Sequence, residues 1–184
     1  MNAIITERLI LRRPKETDLK DFLAYRNDAE NLKFQPIQPI NEETALSFLK
    51  KQMLIDEEKE TGWVMFALEL KDTHQMIGEV GIYISPDDKS TSDLGWSVFK
   101  DEQGKGYAAE AASALLDYAF KLRRLNRVTA SCVSTNTASL QLMKRLGMHR
   151  EVDRTHHQYI NGICYDEYIY AISCEEWSAS DYPS

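Results

Sequence analysis

The residues best suited to chemistry stand just ahead of a helical pattern, in the segment Gln103-Gly104-Lys105-Gly106-Tyr107-Ala108, hereafter the glycine loop. Its two glycines let successive backbone N–H groups turn towards one point without a Cβ clash. The helix that follows would add unpaired N–H groups and the positive end of its dipole. Lys105 could add a full positive charge. The loop is therefore predicted to bind a phosphate or pyrophosphate, with an ordinary strand-to-helix connection as the alternative.

Two common nucleotide-binding patterns are absent from this loop. The P-loop pattern GxxxxGK[ST] does not occur around Gly104 or Gly106. The dinucleotide pattern GxGxxG fails because Ala109 stands three residues after Gly106. A nucleotide-binding α/β domain is therefore disfavoured.

Periodicity predicts the elements that must position the loop. Strands of alternating or β-branched apolar residues are expected at 8–13, 63–70, 76–85, 93–98, 127–133, 149–159 and 164–173. Helices are expected to begin near Thr17, Asn41, Ala108 and Asn136. The third helix would bury Ala112, Leu115, Leu116, Ala119 and Leu122. Asn161-Gly162 predicts a hairpin turn, and residues 177–184 are expected to fray.

Composition limits the class of protein. The 184 residues, 43% of them hydrophobic, fit one domain with a sizeable core, spanning 1–184. A net charge of −7 argues against nucleic acid as a partner. The three cysteines have neither metal-ligand spacing nor an even number, and no apolar run could span a membrane. These features predict a soluble cytoplasmic protein that has no metal site and does not bind membranes.

Two motifs at the right separation resemble the GNAT superfamily of acetyl-CoA-dependent N-acetyltransferases. The glycine loop fits the family's acyl-CoA pattern [QR]xxGx[GA] at each specified position. Some thirty residues later, Asn136 ends the next strand and is followed by a helix that closes at Gly147, as in the family. The resemblance implies a mixed α/β fold with about seven mostly antiparallel strands and about four helices. The acyl-CoA loop would lie between strand 4 and helix 3.

Further segments resemble the branch of ribosomal-protein-alanine and -serine N-acetyltransferases (Rim-type). They are Thr6-Glu7-Arg8-Leu9-Ile10-Leu11-Arg12, Leu94-Gly95-Trp96, Leu125-Asn126-Arg127-Val128 and Tyr159-Ile160-Asn161-Gly162. The resemblance covers residues 6–177. Because this branch also contains enzymes that act on small amines, it implies acetyl transfer to a primary amine but leaves open whether that amine is a protein N-terminus or a small molecule.

The resemblance also implies which residues bind acetyl-CoA. Backbone N–H groups of the glycine loop, Gln103, Gly104, Lys105, Gly106, Tyr107 and Ala108, would hold the pyrophosphate. The strand at Trp96, Ser97 and Val98 would offer N–H groups to the thioester carbonyl. Asn136 and Ser139 would contact the rest of the cosubstrate, although Asn136 could also serve only as a helix cap.

Direct transfer without a covalent enzyme intermediate needs a proton donor for the thiolate and a proton acceptor for the amine. Many GNAT enzymes donate from a Tyr where Met143 stands here, and in the ribosomal-protein branch a Ser at the position of Ser139 is proposed instead. Ser139 could alternatively satisfy only a backbone group. The expected base is Asp93, at a position where histone-type members carry Glu, although Asp93 could be a solvated edge residue.

Other bases remain open. Gln158 replaces a Glu of some ribosomal-type enzymes, and Glu79, Asp166 or a water chain could serve instead. Because Met143 and Gln158 cannot transfer protons, a catalytically silent acyl-CoA-binding sensor or scaffold is the alternative function. A homodimer is an expectation taken from similar proteins.

Overall fold

The structure, a computed structural model, describes residues 3–56 and 61–179. These residues form eight strands: β1 (Ile4–Ile5), β2 (Leu9–Arg12), β3 (Gly62–Leu70), β4 (Met76–Ile84), β5 (Thr91–Val98), β6 (Arg127–Val133), β7 (His149–Ile160) and β8 (Ile163–Ser173). The α-helices are α1 (Leu19–Arg26), α2 (Ala29–Leu32), α3 (Glu42–Leu54), α4 (Tyr107–Asp117), α5 (Thr137–Arg145) and α6 (Cys174–Ser178).

The strands form one sheet in the order β1-β2-β3-β4-β5-β6-β8-β7. Every neighbouring pair is antiparallel except β5 and β6, which are parallel. The predicted mixed, mostly antiparallel architecture is confirmed, and all seven predicted strands are present. The glycine loop follows the fifth strand and precedes the fourth helix, since the sequence pattern gave no signal for the short elements β1 and α2.

Helices cover both faces of the sheet. On one face, α4 and α5 pack against apolar residues of the sheet in the larger core cluster, which contains Leu115, Leu116 and Met143. On the other face, α1 and α3 bury Phe22, Tyr25, Ala45 and Leu49 against Ala67 of β3 and against Met76. The sheet is therefore the middle of three layers. A gap between two of its strands can be reached from both faces.

Two of the three predicted asparagine or threonine caps are present, and the one at Thr17 was wrong. Thr17 lies inside a 3-10 turn, Glu16–Asp18, which begins early because the Lys15 N–H donates to the Asp18 carboxylate at 2.7 Å, and α1 starts only after Asp18.

The Asn41 side chain accepts a hydrogen bond from the Thr44 N–H at the start of α3, and the Asn136 side chain does the same for Ser139 at the start of α5. The predicted hairpin turn is present, with Asn161 and Gly162 at φ 50° and 79° between β7 and β8.

Two expectations about helix ends were wrong. A π-helical segment, Tyr118–Leu122, continues α4, and its wider turn rotates the last residue off the buried face, so that Leu122 is 71% exposed. The predicted fray does not begin at Trp177, because this residue lies buried in α6 and its indole N–H donates to Asp117 at 2.8 Å. Residues 180–184 lie outside the described part.

Gly78 in β4 allows the close approach of β5 that shapes the site described below. A Cβ at Gly78 would lie 2.2 Å from the carbonyl oxygen of Ser97 and 2.8 Å from the Cα of Val98, both backbone atoms of β5. We expect Gly78→Ala to destabilise the fold by about 1–3 kcal/mol or more, the cost of overpacking. Urea unfolding would measure this. Gly95→Ala is the control, since Gly95 has no positive φ and a Cβ there would meet only the end of the Trp63 side chain, at 3.1 Å, and an equal loss in both variants would contradict the steric argument.

Candidate active site

The parallel strands β5 and β6 separate after a short stretch of pairing. Their register runs from Thr91–Arg127 to Asp93–Thr129, and both strands continue beyond it unpaired with each other. The Phe99 N–H donates to Ile77, on the β4 side of β5. Because alternate residues of a strand direct their N–H groups to opposite neighbours, those of Trp96 and Val98 face the gap.

A cavity of about 530 Å³ fills this gap. Most of the predicted cosubstrate-binding residues line it, namely Trp96, Ser97, Val98, Gln103, Gly104, Gly106, Tyr107, Ala108, Asn136 and Ser139. Ser131 and Cys132 of β6 form the opposite wall. Burial raises the pKa of the Cys132 thiol to about 12, so this wall carries no thiolate at neutral pH.

The glycine loop meets the cavity with backbone donors. Gly104 and Gly106 have positive φ angles of 75° and 87°, which favour glycine. The first intrahelical donor of α4 is the Glu110 N–H, bonded to the Gly106 carbonyl, so the N–H groups of the preceding turn have no partner within the helix. The Gln103 amide anchors the loop by donating to the Val98 carbonyl at 2.9 Å. The arrangement can bind an anionic group.

Lys105 is the predicted loop residue that does not line the cavity. Its ammonium group donates to the Glu102 carboxylate at 2.9 Å, and its carbonyl accepts from Arg8. The expected contribution of Lys105 to anion binding is therefore limited to its backbone in this conformation.

Ser139 lies at the α5 side of the cavity, one turn into the helix capped by Asn136. Its backbone N–H is the group that the Asn136 side chain binds, at 3.1 Å. Among residues 3–56 and 61–179 the Ser139 hydroxyl makes no hydrogen bond to a backbone group, which leaves it available to a ligand. Met143, at the position where the family resemblance implied a Tyr in many members, is fully buried in the core and does not line the cavity.

Asp93 is placed apart from Ser139, at the closed end of the gap. It lines a second cavity of about 190 Å³ together with Tyr83, Thr129 and four other residues, Ser85, Thr91, Ser92 and Arg127. One Asp93 oxygen accepts from the Thr129 hydroxyl at 2.8 Å. Burial raises the pKa of Asp93, the Thr129 bond opposes this, and the charge of Glu167 adds to it. Asp93 is half-buried and lies on β5, an interior strand of the sheet rather than an edge strand.

The fallback bases have other partners. Glu79 is buried and forms an ion pair with Arg26 at 2.7 Å; burial raises its pKa, and the Arg26 charge opposes this. An Asp166 oxygen accepts from the His156 N–H at 2.9 Å. Neither residue lines the two cavities described above.

Sequence reasoning missed Glu167. Its carboxylate is buried, with 6% of the residue exposed, and it accepts from Gln158 at 3.1 Å and contacts His157 Nδ1 at 3.0 Å. An irregular register between Arg154 and Gln158 brings these side chains together. Only sheet pairing, which sets Glu167 opposite Val133, could have indicated this cluster.

The sequence model described as an acetyltransferase (GNAT) domain matches residues 8–149, more than half of the chain. The chain belongs to the GNAT acetyltransferase family. This GNAT protein is 34% identical over 175 residues to the uncharacterized N-acetyltransferase YnaD of Bacillus subtilis strain 168, covering 95% of this chain and 99% of YnaD. It is 25% identical over 181 residues to the [ribosomal protein uS5]-alanine N-acetyltransferase of Escherichia coli strain K12, covering 95% and 92%.

The three-dimensional structure also matches the GNAT fold. The crystal structure of a GNAT-family acetyltransferase from Bacillus anthracis matches with a TM-score of 0.83 at 30% identity, covering 94% of this chain and 99% of that chain. The predicted family and fold, including the relation to the ribosomal-protein-alanine enzymes, are confirmed. The protein is therefore an acetyltransferase, and its family uses acetyl-CoA as the donor.

The described residues form neither a metal-binding cluster nor a membrane-spanning helix. Across the described part of the chain, no three His, Cys, Asp or Glu side chains converge as ligands for one ion. No helix within residues 3–56 or 61–179 is long and apolar enough to cross a membrane.

Proposed function

We propose that this enzyme transfers an acetyl group directly from acetyl-CoA to a primary amine, either the α-amine of a protein N-terminus or an amine of a small molecule. The observation that carries the proposal is the gap between β5 and β6. There the N–H groups of Trp96 and Val98 face a cavity that the glycine loop and Ser139 also line. One cavity thus offers a place for a pyrophosphate, an acyl carbonyl and a leaving sulfur.

The residues present fit acetyl-CoA in their donor chemistry. Acetyl-CoA would supply an activated acyl group as a thioester. The N-terminal turn of α4 and the positive-φ glycines suit a pyrophosphate, because backbone N–H groups there have no partner in the helix. The N–H groups of Trp96 and Val98 are fixed by the sheet before any reaction, so they can stabilise negative charge on an acyl oxygen without reorganisation.

Two protons must move as the N–C bond forms and the C–S bond breaks. We assign the donor for the departing sulfur to the Ser139 hydroxyl, which is not bound to the backbone. We assign the acceptor of the amine proton to Asp93, whose raised pKa makes it a stronger base than an ordinary aspartate. The assignment places the amine on the Asp93 side of the sheet and the cosubstrate on the Ser139 side.

Similarity to a relative of known substrate favours a protein α-amine over a small-molecule amine as the acceptor. The Escherichia coli relative that covers most of this chain acts on the alanine of a ribosomal protein. An α-amine, with a pKa near 7.7–8.0, is also easier to deprotonate than a lysine-like amine near 10.4. This is consistent with a site whose assigned base is a single carboxylate.

The experiment is a measurement of CoA release from acetyl-CoA across a panel of amines. The panel contains peptides that begin with Ala or Ser, spermidine, aminoglycosides and free amino acids. Turnover confined to the peptides would support the α-amine acceptor. Binding of acetyl-CoA without turnover on any amine would instead support the silent acyl-CoA-binding module. A homodimer and a cytoplasmic location stay predictions, and light scattering would test the former.

A further inference from the structure

Arg8, from the segment typical of the ribosomal-protein branch, makes a dense set of contacts with the glycine loop and α4. Its Nε donates to Glu110 Oε2 at 2.7 Å, and its backbone N–H donates to Glu110 Oε1 at 2.7 Å. Its Nη1 donates to the Lys105 carbonyl at 2.9 Å. The guanidinium carbon lies 4.5 Å from the centre of the Tyr107 ring. Residues about a hundred positions apart in the chain are thereby joined.

The contact with Lys105 fixes the direction of one peptide unit. The C=O of Lys105 and the N–H of Gly106 belong to the same planar trans peptide, so they point in opposite directions. Because Arg8 holds the carbonyl, the Gly106 N–H points away from Arg8. Gly106 lines the cavity, whereas Arg8 and Lys105 do not. Arg8 therefore acts from behind the loop.

The other partners hold Arg8 in this position. Burial alone would raise the pKa of Glu110, but hydrogen bonds from Thr6 and Arg8 lower it below its ordinary value, so the carboxylate stays ionised. The Thr6 hydroxyl donates to the same Glu110 oxygen as the Arg8 N–H, at 2.6 Å. Since the Glu110 charge offsets that of Arg8, the role of Arg8 is one of orientation rather than of added positive charge.

We propose that Arg8 is a positioning residue for pyrophosphate binding, which it supports by holding the Lys105 carbonyl so that the Gly106 N–H faces the cavity. The inference rests on the proposed use of acetyl-CoA by the same site. It assigns a function to the N-terminal segment and explains why the Lys105 side chain can be engaged elsewhere. It also predicts that Arg8 affects only those ligands that carry the pyrophosphate.

The experiment compares two ligands, CoA and pantetheine, which lacks the pyrophosphate. Calorimetry gives both affinities for the wild type, Arg8→Ala and Arg8→Lys. We expect Arg8→Ala to weaken CoA binding about 10- to 100-fold, the loss typical of hydrogen bonds that involve a charged group. Pantetheine binding should stay within about twofold by the same argument. Arg8→Lys keeps a donor and should recover part of the loss.

Steady-state kinetics provide a second readout. In Arg8→Ala the KM for acetyl-CoA should rise while kcat and the KM for the amine stay near their wild-type values. Lys121→Ala is the control, because Lys121 also forms an exposed ion pair, with Asp117 at 2.9 Å, but at the far end of α4. It should leave every parameter unchanged.

The possible results separate a failure of the inference about Arg8 from a failure of the proposed function. Equal CoA affinity in wild type and Arg8→Ala would overturn the inference, as would an equal loss for CoA and pantetheine, which would indicate a general effect on the fold. If Arg8→Ala unfolds, Arg8→Lys carries the same comparison. If the wild type binds no CoA, the proposed function itself fails.

Discussion

Replacing Ser139 with alanine should lower kcat about 100- to 10,000-fold, the range observed when a positioned proton donor is lost. The hydroxyl lines the cavity between β5 and β6 and is not bound to the backbone, so its removal disturbs no structural bond. The Asn136 cap uses the backbone N–H of residue 139, and alanine keeps that group. The affinity for acetyl-CoA and the melting temperature should therefore stay close to wild type.

The matched control is Thr137→Ala. It removes a hydroxyl from the same first turn of α5, at an exposed position outside the cavity, and it should leave kcat unchanged. Ser139→Cys keeps a proton donor and should retain more activity than Ser139→Ala. Wild-type kcat in Ser139→Ala, with acetyl-CoA saturating, would remove Ser139 from the proton-transfer scheme.

Asp93→Asn should be less active yet more stable than the wild type. Loss of a general base is expected to lower kcat/KM for the amine about 100- to 10,000-fold. Because burial raises the folded pKa of Asp93, ionising this carboxylate opposes folding, and the neutral amide removes that penalty. The amide oxygen can still accept from the Thr129 hydroxyl. Activity assays and thermal melts at neutral pH would measure the two effects.

The raised pKa of Asp93 also predicts how stability and activity depend on pH. A group whose folded pKa is raised contributes stability below its unfolded pKa and loses it as the pH rises through the folded pKa. As the pH rises from the unfolded pKa of Asp93 to its higher folded pKa, the stability of the wild type should therefore fall relative to that of Asp93→Asn. The activity should rise over the same interval, because only the carboxylate can accept a proton. Asp87→Asn, an exposed turn position, is the control and should change neither profile.

Unchanged activity in Asp93→Asn would show that Asp93 is not the general base. Glu167 would then be the next residue to test, because its buried carboxylate already receives hydrogen bonds from the β7 strand and its charge raises the pKa of Asp93. A variant that loses both activity and stability would indicate a structural role for Asp93 instead.

The sequence by itself determined the features that depend on near neighbours. The caps at Asn41 and Asn136, the Asn161-Gly162 turn and the glycine loop all depend on side chains or φ angles within a few residues. Strand alternation located every strand longer than two residues. The family followed from two such local motifs at the right separation, and residues 8–149 match the family as expected.

The tertiary structure decided which of these residues share a cavity. Asp93 and Ser139 line separate cavities, because β5 and β6 pair only as far as Asp93–Thr129. No local pattern encodes where two parallel strands separate, since this depends on how neighbouring strands and helices pack on both sides.

Two long-range contacts with α4 were also decided by the tertiary structure. Arg8 reaches Glu110, 102 residues away, because β2 and α4 meet across the larger core. Trp177 is buried for a similar reason, with its indole bound to Asp117 at the end of α4. Both residues stand in segments whose local pattern gives no indication of a partner. Their roles follow from the tertiary packing, which brings Arg8 and Trp177 against α4, the helix that follows the glycine loop.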